Sequence, residues 1–208
     1  MSVDRKALER IAADTRGVYE RNAARFDAER SRGLFERVWL DRFADALPPG
    51  APVLDVGCGT GEPIAAYLIG RGFSVTGVDF AAPMLDIARA RLPDARWIEA
   101  DMRTLDLGET FDGILAWHSF FHLAPDGQRE ALARFGTHLA PGGILLATVG
   151  PRESEAVGRV ADDPVYHASL SEEAYREALA AAGMALTRFV PEDPACDFVS
   201  VIVARRNR

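Results

Sequence analysis

Strands and helices alternate along most of the chain, as the spacing of its apolar residues indicates. Short apolar runs such as PVLDV and FSVTGVD are typical of buried strands, and segments such as APMLDIARARL have helical spacing. Strands that alternate with helices require right-handed crossovers, which give a mostly parallel sheet covered on both faces. The last two apolar runs, MALTRFV and FVSVIVA, are joined by only a short turn, which permits an antiparallel pair and forbids a parallel crossover. We therefore predict an α/β fold with a doubly wound sheet of seven strands, mostly parallel, with an antiparallel C-terminal strand pair.

The first fifty residues follow a helical pattern instead. The stretch from Asp4 to about Asp27 is charged and alanine-rich, and a second amphipathic stretch runs from Leu34 to Leu47 before two prolines and a glycine end it. We predict an N-terminal helical lid or appendage over residues 1–50 and a sheet domain with a single core over residues 51–208. The segment Pro151–His167 is longer than the other links, so we expect a functional or mobile loop there.

Composition narrows the possible partners and the location. The chain has 208 residues, of which 48% are hydrophobic, enough for one sizeable core. Its net charge of −7 supplies no basic field for a polyanion, so we expect neither a nucleic acid nor a membrane as partner. There are two cysteines, one of them within a glycine-rich run, and we find neither an apolar signal segment nor an apolar run of spanning length. These features predict a cytoplasmic protein.

A glycine loop follows the first predicted strand in the stretch VLDVGCGTGEP, from Val53 to Pro63. A phosphate-binding P-loop needs a lysine, and the only lysine of the chain is Lys6. A dinucleotide loop needs a third glycine where this chain has Glu62, whose carboxylate would repel a diphosphate, and Pro63 removes a backbone donor from the same helix start. A cofactor without phosphates and with a positive centre avoids both problems. S-adenosylmethionine, with its sulfonium and ammonium groups, is such a cofactor.

The same stretch carries a family resemblance. VLDVGCGTG resembles the first motif of the class I S-adenosylmethionine-dependent methyltransferase superfamily. Four later segments are similar to further motifs of that superfamily, in the same order: VTGVDF, EADMRTLDL, FDGILAWHSFFHL and LAPGGILLATV. The match runs from about Val53 to Val149 and is of the small-molecule type, similar to uncharacterised methyltransferase-domain proteins. It implies a Rossmann-like fold, S-adenosylmethionine as cofactor, S-adenosylhomocysteine as product, and methyl transfer to a small molecule.

The resemblance also implies roles for individual residues. Asp79 is expected to bind both ribose hydroxyls, and Asp101 and Met102 are expected to bind the adenine through its amino group and one ring face. Asp55 has two possible roles: it braces the glycine loop through backbone hydrogen bonds, or it contacts the cofactor. The predicted cofactor contacts are Tyr19, Asp55, Gly57, Cys58, Gly59, Gly61, Asp79, Phe80, Met84, Asp101, Met102 and Trp117.

Three histidines are the candidate catalytic residues. Methyl transfer from a sulfonium is an in-line displacement, so the protein must align the reactants, and a base is needed only for a protonated acceptor. The ligand of a doubly wound sheet lies beyond the carboxyl ends of the strands, so His118, His122 and His167 are the candidates. For His118 there is an alternative role, in which it only makes a local hydrogen bond or lines the cofactor pocket. His118 and His122 stand four residues apart, but no carboxylate or cysteine lies close by in sequence, so we predict no metal.

The segment after the fourth predicted strand bears on the acceptor. Its sequence AWHS lacks the Asn/Asp-Pro-Pro-aromatic pattern of enzymes that methylate amino groups of DNA, RNA or glutamine, which favours a small-molecule acceptor through O, N, S or C. Two alternatives stay open. One is an NAD(P)-dependent oxidoreductase, although a Tyr-x-x-x-Lys pair is impossible with Lys6 as the only lysine; the other is a non-catalytic module that binds S-adenosylmethionine. The oligomeric state is open as well.

Overall fold

The computed structural model describes residues 4–208, which form one seven-stranded sheet with its helices and a separate two-stranded hairpin. The helices are α1 (Arg5–Glu29), α2 (Arg37–Asp45), α3 (Ile64–Gly70), α4 (Ala82–Arg91), α5 (Pro125–His138) and α6 (Glu172–Ala181). The strands are β1 (Pro52–Val56), β2 (Ser74–Asp79), β3 (Arg96–Glu99), β4 (Phe111–Ala116), β5 (Leu139–Val149), β6 (Ser154–Val160), β7 (Asp163–Ser169), β8 (Met184–Asp193) and β9 (Val199–Arg206).

The strands of the large sheet lie in the order β3, β2, β1, β4, β5, β9, β8. The first five are parallel, and β9 runs antiparallel to both β5 and β8. The predicted α/β sheet, with seven mostly parallel strands and an antiparallel C-terminal pair, is confirmed. From β1 the chain moves outward through β2 and β3 and then returns to β4 on the other side of β1. A crevice therefore opens between the carboxyl ends of β1 and β4.

Helices cover both faces of this sheet. On one face α5 and α6 pack over a core that includes the fully buried rings of Phe111, Phe135 and Tyr175. On the other face lie α2, α3 and α4, and Trp39 of α2 is 3% exposed, with its indole Nε1 donating to Asp193 Oδ2 at 2.9 Å. Helix α2 thus packs as part of the main core, while the domain boundary at residue 50 stays a prediction.

Helix α1 lies elsewhere, over the carboxyl edge of the sheet. Its buried Val18 packs on the hairpin of β6 and β7, and its buried Ala23 packs on Met84 of α4. Near the C-terminal end of the helix, the Arg91 guanidinium of α4 donates to both carboxylate oxygens of Asp27, at 2.8 and 2.9 Å. Apolar contacts and this ion pair together hold α1 across the crevice.

The long loop predicted over Pro151–His167 is wrong, because most of this segment is the antiparallel hairpin of β6 and β7. Val160 and Val165 of the hairpin pack on α1, and Asp163 accepts from Arg21 Nε at 2.9 Å. The charged, proline-bearing sequence is typical of a loop when taken alone. It forms strands here because α1 provides the apolar surface against which one face of the hairpin is buried, while the other face meets water.

Candidate functional site

Two adjoining cavities lie at the carboxyl ends of β1, β2 and β4. The histidine cavity, of about 250 Å³, has the glycine loop on one side and His118, His122 and His167 on the other, with Val160 and Val165 of the hairpin also in its wall. The Met102 cavity, of about 420 Å³, lies between Met102 and the first half of α1. The wall residues common to both are Gly57, Asp79, Phe80, Ser119 and His122. An elongated ligand that has a different chemical group at each end suits such a pair.

Eleven of the twelve predicted cofactor contacts line one or both cavities. Those in the histidine cavity are Tyr19, Asp55, Gly57, Cys58, Gly59, Asp79, Phe80, Met84 and Trp117, and those found only in the Met102 cavity are Asp101 and Met102. The exception is Gly61, which lines neither. A Cβ atom on Gly61 would lie 2.9 Å from Trp97 Cη2, so tight packing against the indole ring accounts for glycine at that position.

The two acids beside the glycine loop have different surroundings. Asp79 braces the loop, because its Oδ2 accepts from Gly59 N and its Oδ1 accepts from Ala81 N, both at 2.9 Å. Asp55 is only 3% exposed and lines the histidine cavity, yet within residues 4–208 no protein hydrogen bond reaches its carboxylate. The bracing considered for Asp55 is therefore not observed, and its contact with the cofactor stays a prediction.

Burial raises the pKa of both acids. Burial and then the negative charge of Asp79 raise the pKa of Asp55 to about 7. Burial raises the pKa of Asp79 to about 6, although the backbone N–H groups that it accepts from favour its charged form. A cation bound beside these carboxyls would stabilise their ionised forms. The site is therefore suited to a ligand that carries a positive centre, such as a sulfonium or an ammonium group.

Three histidines meet on the opposite side of the histidine cavity. The ring centroids of His122 and His167 are 4.9 Å apart, and the Phe121 ring lies 4.8 Å from His167 and 5.9 Å from His118. Burial lowers the pKa of His118 and of His122 to about 4 and also lowers that of His167. At neutral pH all three imidazoles are uncharged, so this wall of the cavity is polar without being ionic.

His122 belongs to a hydrogen-bonded chain that fixes its tautomer. Its Nδ1 lies 2.9 Å from the carbonyl oxygen of Tyr166, and a carbonyl only accepts, so Nδ1 carries the proton. The other nitrogen, Nε2, therefore has a free lone pair, which accepts from the Tyr19 hydroxyl at 2.8 Å. Among the described residues the imidazoles of His118 and His167 have no hydrogen-bond partner. Of the three candidates, His122 is thus the one tied to a second titratable group, the Tyr19 hydroxyl.

Arg30 is a site residue that the sequence patterns did not reveal. It follows the last turn of α1 and lines the histidine cavity, and its guanidinium makes no hydrogen bond to a protein acceptor within residues 4–208. Trp117 lines the same cavity at 3% exposure, and its indole Nε1 likewise has no acceptor in the described chain. The donors of the Arg30 guanidinium are therefore open to a ligand in the cavity, whereas Trp117 Nε1 is itself a buried atom. Most other residues of the cavity wall lie far from Arg30 in the sequence. The only hint in the sequence is an arginine beside the predicted end of the first helix.

Residues 4–208 contain no group of three or more His, Cys, Asp or Glu side chains arranged to hold a metal ion. None of the helices in this range is both long enough and apolar enough to cross a membrane.

Comparisons with known proteins agree with this geometry. A family described as a methyltransferase domain matches residues 53–143. A dTDP-3-amino-3,6-dideoxy-alpha-D-glucopyranose N,N-dimethyltransferase from Streptomyces fradiae is 39% identical over 48% of this chain and 39% of its own length. A trans-aconitate 2-methyltransferase from Paracidovorax citrulli is 31% identical over 80% of this chain and 61% of its own length. The solved structure of CalS10, an amino pentose methyltransferase from Micromonospora echinaspora with S-adenosylmethionine bound, has a TM-score of 0.67 and 27% identity over 89% of this chain and 96% of that one.

The doubly wound sheet, the glycine loop at its crevice and the cavities on both sides of that loop define a nucleoside-binding α/β protein. The chain belongs to the class I S-adenosylmethionine-dependent methyltransferase superfamily, as the resemblance of its motifs implied. It spans 39%, 45% and 41% of the lengths of three of the curated relatives that it matches.

Proposed function

We propose that this protein transfers a methyl group from S-adenosylmethionine to a small-molecule acceptor. The observation that carries the proposal is the pair of adjoining cavities: two acids beside the glycine loop suit a cationic cofactor, and uncharged imidazoles and aromatic rings across the histidine cavity suit an acceptor. In the in-line reaction a lone pair of the acceptor atom forms the bond to the methyl carbon while the carbon–sulfur bond breaks. The electron pair of that bond stays on sulfur, which becomes the thioether of S-adenosylhomocysteine.

The residues present fit this cofactor. Met102 is 6% exposed and offers an apolar surface for an adenine ring, and Asp101 stands beside it. Asp79, common to both cavities, is suited to the ribose between them. Asp55, which no protein donor reaches within residues 4–208, is suited to the ammonium and sulfonium end. Arg30, whose guanidinium makes no hydrogen bond in that range and lies 3.9 Å from Glu36 Oε1, is suited to the carboxylate of the same end. S-adenosylmethionine would supply the activated methyl group, and the chain's own residues orient it and exclude water.

A small molecule is the acceptor class that the site supports best. The named relatives methylate an amino sugar and trans-aconitate, which are small molecules of different chemistry. The side of the histidine cavity that faces the proposed methyl acceptor is formed by Tyr19, Phe121 and the three histidines. Its uncharged groups suit an amine or a hydroxyl compound, which can donate hydrogen bonds to them. The absence of a nucleic-acid or membrane partner and a cytoplasmic location stay predictions from composition.

The proposal predicts selective binding of S-adenosylhomocysteine. At a concentration a hundred times its Kd, this product should stabilise the protein by about 2.7 kcal/mol, because it binds only the folded state. Thermal unfolding with S-adenosylhomocysteine, with NADH and without ligand measures the effect. Stabilisation by NADH without stabilisation by S-adenosylhomocysteine would favour the oxidoreductase and overturn the proposal.

Labelled methyl transfer separates an enzyme from a binding module. The protein and methyl-labelled S-adenosylmethionine are incubated with a panel of small amines, alcohols and carboxylic acids, and label is sought in each acceptor. We expect transfer to at least one chemical class. Binding of S-adenosylhomocysteine with no transfer to any member of the panel or to a metabolite extract would leave the non-catalytic module as the better account.

The affinity for S-adenosylhomocysteine should rise with pH. Burial raises the pKa of Asp55 to about 7, so the carboxyl is largely protonated at pH 5.5 and ionised at pH 8. The ligand's ammonium favours the ionised form, and at low pH binding must release a proton, so we expect affinity about tenfold weaker at pH 5.5 than at pH 8. Calorimetric titration at several pH values measures this. The Asp55→Asn variant is the control and should lose most of the dependence; an equal pH dependence in that variant would assign the effect to another group.

A further inference from the structure

A buried carboxylate lies just outside the site and has no hydrogen-bond partner. Glu36, in the turn before α2, is 0% exposed, and within the described residues neither of its carboxylate oxygens has a hydrogen-bond donor. Removing an ionised carboxylate from water is costly unless a cation offsets the loss. The salt bridge found for Glu36 joins its Oε1 to Nη2 of Arg30 at 3.9 Å, which is too long for a hydrogen bond.

Arg30 connects Glu36 to the histidine cavity. Its guanidinium lies over the Phe26 ring, with Cζ 5.7 Å from the ring centroid, and its side chain is 22% exposed. A guanidinium is planar and carries donors on more than one edge, so it can face a carboxylate on one side and a ligand on another. Arg30 lines the cavity, whereas Glu36 does not. Any effect of Glu36 on a ligand in the histidine cavity therefore passes through the position of the Arg30 guanidinium.

The cavity also holds carboxylates that compete for this cation. Asp55 and Asp79 line the same cavity as Arg30, whereas Glu62, which also lines it, is already paired with Arg32. An arginine side chain without a fixed partner would turn toward one of these acids or toward water, since it has several rotatable bonds. A pairing of Arg30 with Asp55 would remove the cation and the anion that the two ends of an amino acid require. The attraction of Glu36 works against that collapse.

We infer that Glu36 is a positioning residue that holds the Arg30 guanidinium in place to receive the carboxylate of the cofactor's methionine end. The inference rests on the proposed function, because it needs a cofactor with an amino-acid end. Arg30 bound between two carboxylates, one from the protein and one from the ligand, is offset by both charges. Asp55 is then left free for the ammonium of the same amino acid.

The test compares two ligands that differ at this end. S-adenosylhomocysteine carries the amino acid, and 5′-methylthioadenosine keeps the adenosine and the sulfur but lacks it. We expect Glu36→Gln to weaken S-adenosylhomocysteine about fivefold, Arg30→Ala to weaken it about tenfold or more, and both to leave 5′-methylthioadenosine within about twofold of the wild type. Adding Glu36→Gln to Arg30→Ala should have no further effect, because the two residues act in series.

Glu29→Gln is the matched control, since Glu29 also stands near the end of α1 but is exposed and paired with Arg25. This variant should leave both affinities unchanged. Glu36→Met, with an unbranched apolar side chain of similar length, is the second variant if Glu36→Gln folds poorly. Unfolding curves of every variant establish that the protein measured is folded.

The outcomes separate this inference from the proposed function. If the wild type fails to bind S-adenosylhomocysteine, the proposed function falls, and the inference falls with it. If the wild type binds it but the Glu36 variants weaken both ligands equally, Glu36 has a merely structural role and the inference alone is overturned. Unchanged affinity for S-adenosylhomocysteine in the Glu36 variants overturns it as well.

Discussion

Replacing Gly57 with alanine should weaken S-adenosylhomocysteine binding at least about a hundredfold. Gly57 has a φ of 74°, and a Cβ atom built there would lie 2.1 Å from Cβ and 2.6 Å from Oγ of Ser119. Neither side can move freely, because Gly57 N donates to Val78 O at 2.7 Å and Ser119 Oγ donates to Val56 O at 2.6 Å. A left-handed φ and an overpacked contact each cost about 1–2 kcal/mol of conformational free energy. Together they displace the glycine loop, which lines both cavities, and so weaken binding.

A matched glycine separates the clash from the backbone strain. Gly72 has a φ of 89°, but a Cβ there would meet nothing within 4 Å, so Gly72→Ala keeps the strain and lacks the clash. We expect this control to lose about 1 kcal/mol of stability and to bind S-adenosylhomocysteine normally. The double variant Gly57→Ala with Ser119→Gly removes the opposing Cβ and should recover part of the binding. Equal losses of affinity in the two single variants would contradict the steric account.

The fold could be predicted well where a local pattern is enough to determine it. The apolar runs around Val53 and Val75 form strands of a sheet that is covered on both of its faces, so nearly all of their residues are apolar. Their alternation with helices leaves few possible topologies. The short link near Pro194 excludes a parallel crossover before β9, and the sheet has that antiparallel pair. These inferences needed only neighbours in sequence. The hairpin of β6 and β7 was missed because its buried face exists only against α1, more than a hundred residues away in the chain.

The unpaired negative charge at the glycine loop belongs to a different acid from the one that the sequence indicated. Glu62 was expected to repel a diphosphate, but its Oε2 accepts from Arg32 Nε at 2.9 Å and lies 3.4 Å from Arg91 Nε. Its charge is largely offset by these two arginines, which lie far from it in sequence. The acid without a counterion is Asp55, buried and free of protein hydrogen bonds in the described chain. The preference for a cationic ligand therefore stands, but it rests on Asp55 rather than Glu62.

Arg30 and Glu36 show why part of the site was beyond sequence patterns. Motif residues such as Gly57 and Asp79 lie together because they stand at the carboxyl ends of the neighbouring parallel strands β1 and β2, which the apolar pattern predicts. The contact from Arg30 to the cavity depends on how α1 crosses the sheet, and that depends on the hairpin and on α4. Tyr19 was predicted as a cofactor contact from its place on the first predicted helix; its hydroxyl bonds to His122, which no spacing in the sequence indicates.

Removing the Tyr19 hydroxyl should lower kcat about a hundredfold while S-adenosylhomocysteine affinity stays within about threefold. The Tyr19 hydroxyl donates to His122 Nε2, so the lone pairs of its oxygen are free to accept a proton from the acceptor atom as the methyl bond forms. We expect Tyr19 to pass its own proton to Nε2 in the same step, while the Nδ1 proton stays on His122 and hydrogen-bonded to the Tyr166 carbonyl. Burial raises the pKa of Tyr19 well above its ordinary value, so this hydroxyl works as a relay and does not ionise by itself.

Kinetics of Tyr19→Phe on the acceptor found by label transfer measure this effect, with Tyr67→Phe as the control. Tyr67 donates to Asp41 outside both cavities, and its loss should leave kcat unchanged.

Because burial lowers the pKa of His122 to about 4, its neutral form prevails above that value, so wild-type kcat should be flat from pH 6 to 8 and fall only as the pH approaches about 4. An unchanged kcat in Tyr19→Phe would mean that the acceptor loses its proton by a route that does not include Tyr19, either to water or to the imidazole of His118 or His167. In that case Tyr19 and His122 serve to bind and orient the acceptor, and their contribution to catalysis is alignment.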